Sequence, residues 1–272
     1  MPGPIVSESH LNPLTKNHMI RNSISRCVTA VVAIAVAAGT ASAQTAVLPP
    51  AASLLAKYGV AVGAKAMLKS ASISSKGALS MPAAGMEATF EMLQMAPNRM
   101  QMVTTVPGMG TIQVGYDGTI GWSMNPMQGP RLLSGKELDQ IRDEANLQMA
   151  TRSPEMYTAV KTVADTTMGG ERCFLVKMNW KSGRETFDCF SPTTAFMVGS
   201  KSVQETPMGA IPVTTLYSEY KKFGDMTVPT RTVLEVMGQQ QIVTIKSVEV
   251  GTGAGLAIKA PAEIQALAKP KG

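Results

Sequence analysis

Histidine is almost missing from this sequence of 272 residues, and its two copies, His10 and His18, both fall near the start. Without histidine elsewhere, Ser-His and Cys-His nucleophilic systems cannot form, and most zinc sites cannot form either. No glycine-rich loop leads from a strand into a helix in the pattern that binds phosphates. These shortages predict a protein that is not an enzyme and that holds no cofactor and no metal.

Pairs of carboxylates, as in glycosidases, remain formally available, since the sequence contains Glu87, Glu91, Asp117 and Glu137. No spacing singles out two of them. Each fits better on a strand surface, in a turn or at a helix cap. An enzyme is therefore the third of the hypotheses that the sequence permits.

A short apolar run over residues 28–38 has the features of an export signal. Arg21 and Arg26 precede it, and Ala41-Ser42-Ala43 follows it. A basic start, an apolar middle and an A-x-A site are typical of a secretory signal peptide, and this run is too short to span a bilayer. We predict cleavage after the last of these alanines and a periplasmic location.

The charge that remains after cleavage is mildly positive. Residues 1–43 contain Lys16, Arg21, Arg26 and Glu8, so 22 basic residues (25 − 3) stand against 18 acidic ones (19 − 1), a net charge of +4. Lysine and arginine form no run of the kind that binds nucleic acid. We therefore expect no nucleic-acid partner.

The rest of the sequence changes from a helical to a β-strand pattern. Ser53–Lys69 has a loose helical spacing of apolar residues, and from about Ile73 short strand-like runs alternate with turn signals. We predict an α+β, mostly β protein: a large antiparallel sheet of roughly eleven or twelve strands, capped by two or three helices. The predicted organisation is an extension and signal peptide over 1–43, a linker over 44–52, one domain over 53–264 and a tail over 265–272.

Three local signals refine this prediction. Ser134 and Glu137 match a capping box that would begin a helix carrying Leu138 and Ile141 on its apolar side. Ser153-Pro154-Glu155 is typical of the start of a second short helix. Asp117-Gly118 predicts the two central residues of a tight hairpin turn.

Cys173 and Cys189 flank one predicted hairpin, and in an exported protein they could form a disulfide. A two- or four-residue turn would point the two side chains to opposite faces of the hairpin. A three-residue turn would put them on one face in diagonal positions, where we expect a β-bulge to be needed for bonding. Two buried free thiols are the alternative.

Methionine is the residue in excess, with 20 in the chain. Its flexible, polarisable side chain fills irregular cores, and it also lines surfaces that accept apolar ligands of different shapes. Copper(I) is a weaker alternative, because residues three apart in a strand, such as Met92 and Met95, point to opposite faces. The residues predicted to line a ligand cavity are Phe90, Met92, Met100, Met102, Trp122 and Met124, with Leu138 and Ile141 on a helical lid.

Several short motifs resemble one known group of proteins. They include Ala96-Pro97-Asn98-Arg99, the stretch Gly115-Tyr116-Asp117-Gly118 with Gly121-Trp122, and Glu205-Thr206-Pro207-Met208-Gly209. The pattern, spread over about residues 53–264, is similar to the outer membrane lipoprotein-sorting protein-like family, within the LolA/LolB-like superfamily of periplasmic lipoprotein carriers. The resemblance implies an incomplete, half-open antiparallel β-barrel whose concave apolar face is closed by helices and accepts acyl chains.

Two hypotheses follow, in this order. The first is an exported binding or carrier protein for a lipid, a lipoprotein acyl chain or another hydrophobic ligand, held in a concave apolar cavity. The second is an envelope sensor or interaction module that binds a membrane partner protein. A carrier predicts a continuous apolar cavity, and a sensor predicts an exposed apolar patch elsewhere.

Overall fold

The computed structural model describes residues 47–207 and 209–269. The predicted signal peptide and its cleavage site lie outside the described residues. Among those that are described, no helix has both the length and the apolar character needed to cross a bilayer. Strands dominate the described chain, which confirms the predicted α+β, mostly β class.

Thirteen strands form one sheet in which all neighbours are antiparallel. In chain order they are β1 (Ser72–Met81), β2 (Met86–Met95), β3 (Arg99–Val106), β4 (Gly110–Tyr116), β5 (Gly121–Asn125), β6 (Gly129–Leu132), β7 (Tyr157–Met168), β8 (Glu171–Trp180), β9 (Glu185–Phe190), β10 (Met197–Thr206), β11 (Gly209–Phe223), β12 (Met226–Val236) and β13 (Gln239–Gly251). Strands β1 to β6 form one meander and β7 to β13 another, and the two join where β1 pairs with β13. The sheet is curled but not closed, as expected for an incomplete barrel, and β6 and β7 form its two edges.

The α-helices of the described chain are α1 (Ala51–Val62), α2 (Ala64–Lys69), α3 (Gly135–Ala145), α4 (Leu147–Thr151) and α5 (Ala262–Ala268). Because β6 and β7 lie at opposite edges of the sheet, the segment that joins them must cross one face, and this segment contains α3 and α4. We call the face covered by α1 to α4 the inner face and the opposite one the outer face. The topology therefore places a helical cover over the inner face.

Helix α1 packs on the inner face through one apolar side. Leu54, Leu55 and Tyr58 are buried against β8 and β9, where they meet Met178 and Phe190. Burial of each such side chain contributes roughly 1.5–3 kcal/mol. This helix and α2 were expected as one loose helical segment, but they are separate helices.

Gly63 separates α1 from α2 in the left-handed conformation, with a φ of 73°. Its N–H donates to the carbonyl oxygen of Val60, which ends α1 in the usual manner of a C-terminal glycine. A Cβ atom on Gly63 would lie 2.0 Å from the carbonyl oxygen of Asp225. The break therefore lets α1 and the β11–β12 turn approach closely.

The predicted capping interactions are wrong in detail. Ser134 precedes α3, but its side chain makes no capping hydrogen bond. Glu137 does not reach back to it, because both carboxylate oxygens accept hydrogen bonds from the Arg131 guanidinium at 2.9 Å. The segment Pro154–Met156, expected to begin a helix, is a single 3-10 turn.

The turn between β4 and β5 is displaced by one residue from its prediction. The N–H of Asp117 donates to the carbonyl oxygen of Ile120, so the central residues are Gly118 and Thr119. The Asp117 carboxylate accepts hydrogen bonds from the N–H groups of Thr119 and Ile120. Asp117 therefore forms an Asx turn through its side chain, whereas the prediction gave its backbone a central position in the hairpin turn.

Cys173 and Cys189 form a disulfide on the outer face, with Cα atoms 5.4 Å apart. The turn between β8 and β9 places three residues, 181–183, between Trp180 and Arg184. In the register, Cys189 lies opposite Leu175, so the cysteines are diagonal neighbours. No register shift interrupts the pairing of β8 with β9, so the bulge that we expected is not needed.

Candidate ligand-binding cleft

A cleft lies between the inner face of the sheet and helices α3 and α4. It consists of three connected compartments with volumes of about 360, 400 and 260 Å³. We call them the apolar compartment, the polar compartment and the α3 compartment, in that order. Met102 and Glu144 line all three, so the compartments form one continuous space.

The apolar compartment is lined largely by methionine. β2 and β3 contribute alternate residues, which an antiparallel strand points to the same face. Helices α2 and α4 and strand β10 contribute the other methionines, and α1, β11 and β12 complete the wall. The methionines are Met67, Met92, Met100, Met102, Met149 and Met197. Such side chains adapt their shape to the ligand, so this wall can accept apolar groups of various forms.

Four of the predicted lining residues reach the cleft. Met92, Met100 and Met102 line the apolar compartment, and Ile141 of α3 lines the α3 compartment as part of the cover. These positions follow the predicted pattern, in which alternate residues of neighbouring strands share a face.

Trp122 and Met124 do not line the cleft. The residue between them, Ser123, lines the α3 compartment, so both neighbours point to the outer face. There Trp122 is fully buried and Met124 partly buried, in a cluster with Ile264 of α5. The prediction placed these side chains on the wrong face because the register of β5 could not be read from sequence.

Phe90 and Leu138 are also absent from the cleft wall. Phe90 shares a face with Met92, but its ring lies over Gly77 of the neighbouring strand, where a Cβ atom would come within 2.6 Å of it. Leu138 packs against Gly121 and belongs to the cluster under α3. Both side chains therefore pack beside the cleft and do not line it.

A buried ion pair lies where the apolar and polar compartments meet. Arg152 donates from Nε to Oδ2 of Asp188 at 2.5 Å, and the two side chains are 6% and 1% exposed. Burial alone would lower the pKa of the guanidinium, but the charge of Asp188 raises it above its ordinary value. Arg152 also holds a left-handed backbone with a φ of 54°, a conformation that costs an ordinary residue about 1–3 kcal/mol.

Three tyrosines surround this ion pair and are neutral. Burial raises the pKa of Tyr58 to about 12, and it raises the pKa of Tyr157 and Tyr217 as well. Tyr58 donates its hydroxyl to the carbonyl oxygen of Ala150 at 3.1 Å, which ties α1 to α4. The tyrosines therefore shield the ion pair from water without adding charge.

A second polar set fixes α3 over the cleft. Asp143 of α3 accepts hydrogen bonds from the Ser182 hydroxyl at 2.6 Å and from the Arg184 guanidinium at 3.2 Å. Gln140 accepts one from the backbone N–H of Glu205 at 3.0 Å. The cover is thus attached to the β8–β9 turn and to β10 by polar contacts that water can replace.

Arg152, Asp188 and the methionines of α2, α4 and β10 also line the cleft and were not predicted from the sequence. One signal could have indicated Asp188. It alternates in β9 with Thr186 and Phe190, so a carboxylate occupies a position that faces inward. No comparable signal marks Arg152, which follows a short helix and reaches its partner across 36 residues of sequence.

One edge of the sheet carries a row of exposed methionines. In an antiparallel meander alternate turns lie at the same end of the strands. The turns β1–β2, β3–β4, β5–β6 and β12–β13 therefore lie along one edge formed by hairpin tips, which is distinct from the edge strands β6 and β7. Met109 is 46% exposed, and Met127 and Met237 are 79% exposed, each at the tip of a different hairpin. We call this edge the methionine edge. The opposite edge carries Asp117 and Asp225 in its turns and Glu171 at the start of β8.

Among residues 47–207 and 209–269, no group of three or more His, Cys, Asp or Glu side chains is arranged to hold a metal ion.

Solved structures share this fold, although no protein-family model and no curated protein sequence matches the chain. A LolA superfamily protein from Nitrosomonas europaea has a TM-score of 0.51 at 14% identity, over 79% of this chain and 97% of that one. A DUF1329 family protein from Desulfovibrio piger has a TM-score of 0.51 at 12% identity, over 75% of this chain and 95% of that one. The chain therefore has a LolA/LolB-like fold, as its motifs predicted. At these identities the likeness concerns the fold alone.

Proposed function

We propose that this protein is an exported, non-catalytic carrier or binding protein that holds a lipid, an acyl chain or another hydrophobic ligand in the inner-face cleft. The observation that carries the proposal is the methionine lining of the apolar compartment. A ligand that buries apolar surface there gains about 25 cal/mol per Å² before the costs of ordering are subtracted.

The arrangement of the cover supports the same function. Helix α3 closes the cleft through side-chain contacts from Gln140 and Asp143, which can be exchanged for contacts with water. A carrier must both enclose its ligand and release it. A cover that packs through Ile141 and Ala145 and is further held by exchangeable polar contacts suits both requirements.

The test is native mass spectrometry of protein purified from the cell envelope without detergent, followed by organic extraction and lipid analysis. We expect a stoichiometric adduct that disappears on denaturation. A mass without any adduct, before and after incubation with envelope lipids, would contradict the carrier function.

A second candidate function is an interaction module that binds a membrane partner protein, and the methionine edge favours it. Exposed apolar side chains on hairpin tips form the kind of surface that marks contact sites. Met127 and Met109 lie on adjacent hairpins, and the β1–β2 hairpin separates Met109 from Met237. Since adjacent hairpins of a sheet are about 10 Å apart, the row spans about 30 Å.

Site-specific photo-crosslinking in intact envelopes would separate the two functions. A photoreactive residue in place of Met127 should give a defined crosslinked protein if the edge binds a partner, and the double variant M109S/M237S should abolish it. The same residue placed at Glu171, on the opposite edge, serves as the control. Equal crosslinking from both edges would reject the interaction module.

A further inference from the structure

The two larger compartments of the cleft have different chemistry. The apolar compartment is lined by methionines, whereas the polar compartment is lined mainly by hydroxyl, amide and charged groups. They share Met149, Arg152 and Tyr217 as a common boundary. An occupant of the whole cleft must therefore have a polar part and an apolar part.

The charged side chains of the cleft wall are almost all neutralised within the protein. Arg152 is paired with Asp188, and Arg184 with Asp143. In the α3 compartment Arg131 is paired with Glu137, and Glu205 has Lys136 at 3.5 Å. Each cation on the cleft wall of the described chain therefore already has a carboxylate partner, although Nε of Arg131 has no acceptor.

Glu144 is the exception among the charged groups that line the cleft. It is half-buried and lines all three compartments, and no cationic side chain of the described residues lies within 4 Å of its carboxylate. Gln140 donates a hydrogen bond to it at 2.9 Å. Burial raises the pKa of Glu144 and the charge of Arg184 lowers it, but Arg184 is already paired with Asp143. An anionic head group would therefore meet this carboxylate with no unpaired cation to offset the repulsion, which costs free energy in a partly desolvated space.

Neutral groups with free hydrogen-bonding capacity line the polar compartment. The hydroxyls of Ser202 and Thr232 and the amide of Gln204 make no hydrogen bond to other groups of the described chain. Ser202 and Gln204 lie on β10 and Thr232 lies on β12, with β11 between the two strands, and all three face the inner side of the sheet. They can both donate to and accept from a ligand that carries hydroxyl or amide groups.

We infer that the cleft selects an amphiphile with a hydrogen-bonding head group that carries no negative charge, seated near Ser202 and Thr232, and an apolar chain in the methionine-lined compartment. This inference rests on the proposed carrier function and specifies its ligand class. Glu144 disfavours fatty acids and other anionic amphiphiles of the same chain length.

Three ligands with the same twelve-carbon chain test the inference: monolaurin, laurate and dodecylamine, titrated at pH 7.5 below their micelle concentrations. We expect monolaurin to bind at least about tenfold more tightly than laurate, and dodecylamine, whose ammonium group Glu144 attracts, to bind more tightly than laurate as well. In E144Q the gap between monolaurin and laurate should shrink to about threefold, mainly through better laurate binding. Laurate binding as tight as that of monolaurin or dodecylamine, or an unchanged gap in E144Q, would overturn the inference.

A second variant locates the head group. S202A/T232V should weaken monolaurin binding by about fivefold or more and leave the uncharged apolar probe N-phenylnaphthylamine unaffected. T105A, which alters an exposed threonine on the outer face of β3, is the matched control. If the probe binds but head groups make no difference, only the head-group inference fails. If neither the probe nor any twelve-carbon ligand binds, the carrier function itself fails.

Discussion

Arg152 and Asp188 form an ion pair inside the inner-face cleft, with Nε and Oδ2 2.5 Å apart and both side chains nearly inaccessible. The pair joins the end of α4 to β9, so it connects the helical cover to the sheet. A buried ion pair stabilises a fold only modestly relative to an apolar replacement, because both charges lose their hydration. Its presence where the two larger compartments meet therefore indicates a role in positioning the cover.

Removal of one partner should be costly, because the other charge would remain buried without compensation. We expect D188A to lower the free energy of unfolding by about 3–5 kcal/mol, measured by urea denaturation. The control is D165A, which breaks an exposed pair with Arg172 and should cost far less, because exposed ion pairs are screened by water. Similar losses in the two variants would show that the buried pair has no special structural role.

The methionine lining should determine affinity for apolar ligands. M102A, at the junction of all three compartments, should weaken binding of N-phenylnaphthylamine by roughly three- to tenfold, since about 1 kcal/mol of apolar contact is lost. M127A, which changes an exposed methionine at a hairpin tip, should leave the affinity unaltered. Fluorescence titration measures the affinity of each variant for the probe. If M102A and M127A change this affinity equally, the probe binds outside the cleft.

The sequence was sufficient to predict the class of fold but only part of the cleft. Alternating strands and turn residues indicated the open antiparallel sheet, because these signals are local. Met92, Met100 and Met102 were found because a single hairpin register places them together. Trp122 was assigned to the wrong face because β5 is short and its register depends on β4. Arg152 and Asp188 were missed because a contact between distant segments leaves no periodic pattern.

The buried tyrosines predict a loss of stability at high pH. The pKa of the Tyr58 phenol is about 12 in the folded protein and 10.0 ordinarily, so the unfolded chain loses its proton first. Stability is fully present below pH 10 and is lost as the pH rises toward 12, by about 2–3 kcal/mol for a shift of this size. Y58F should show a smaller loss between pH 10 and 12 in denaturation experiments. An identical pH dependence in both proteins would contradict this assignment.

The close approach at Gly63 can be separated from the conformational need for glycine. Gly63 and Gly85 both have a positive φ, 73° and 59°, so an alanine is strained at either position. At Gly85 an added Cβ meets nothing within 4 Å, whereas at Gly63 it would lie 2.0 Å from the backbone oxygen of Asp225. G85A should therefore cost about 1 kcal/mol, the strain alone.

G63A should cost at least about 2 kcal/mol more than G85A, because α1 or the β11–β12 turn must also move. Thermal unfolding of both variants measures the difference. Since α1 supplies Tyr58 and Val62 to the apolar compartment, G63A should also weaken binding of N-phenylnaphthylamine, and G85A should not. If the two variants are equally stable, the β11–β12 turn moves aside without a cost in free energy. The junction of α1 and α2 would then not determine the position of that wall of the cleft.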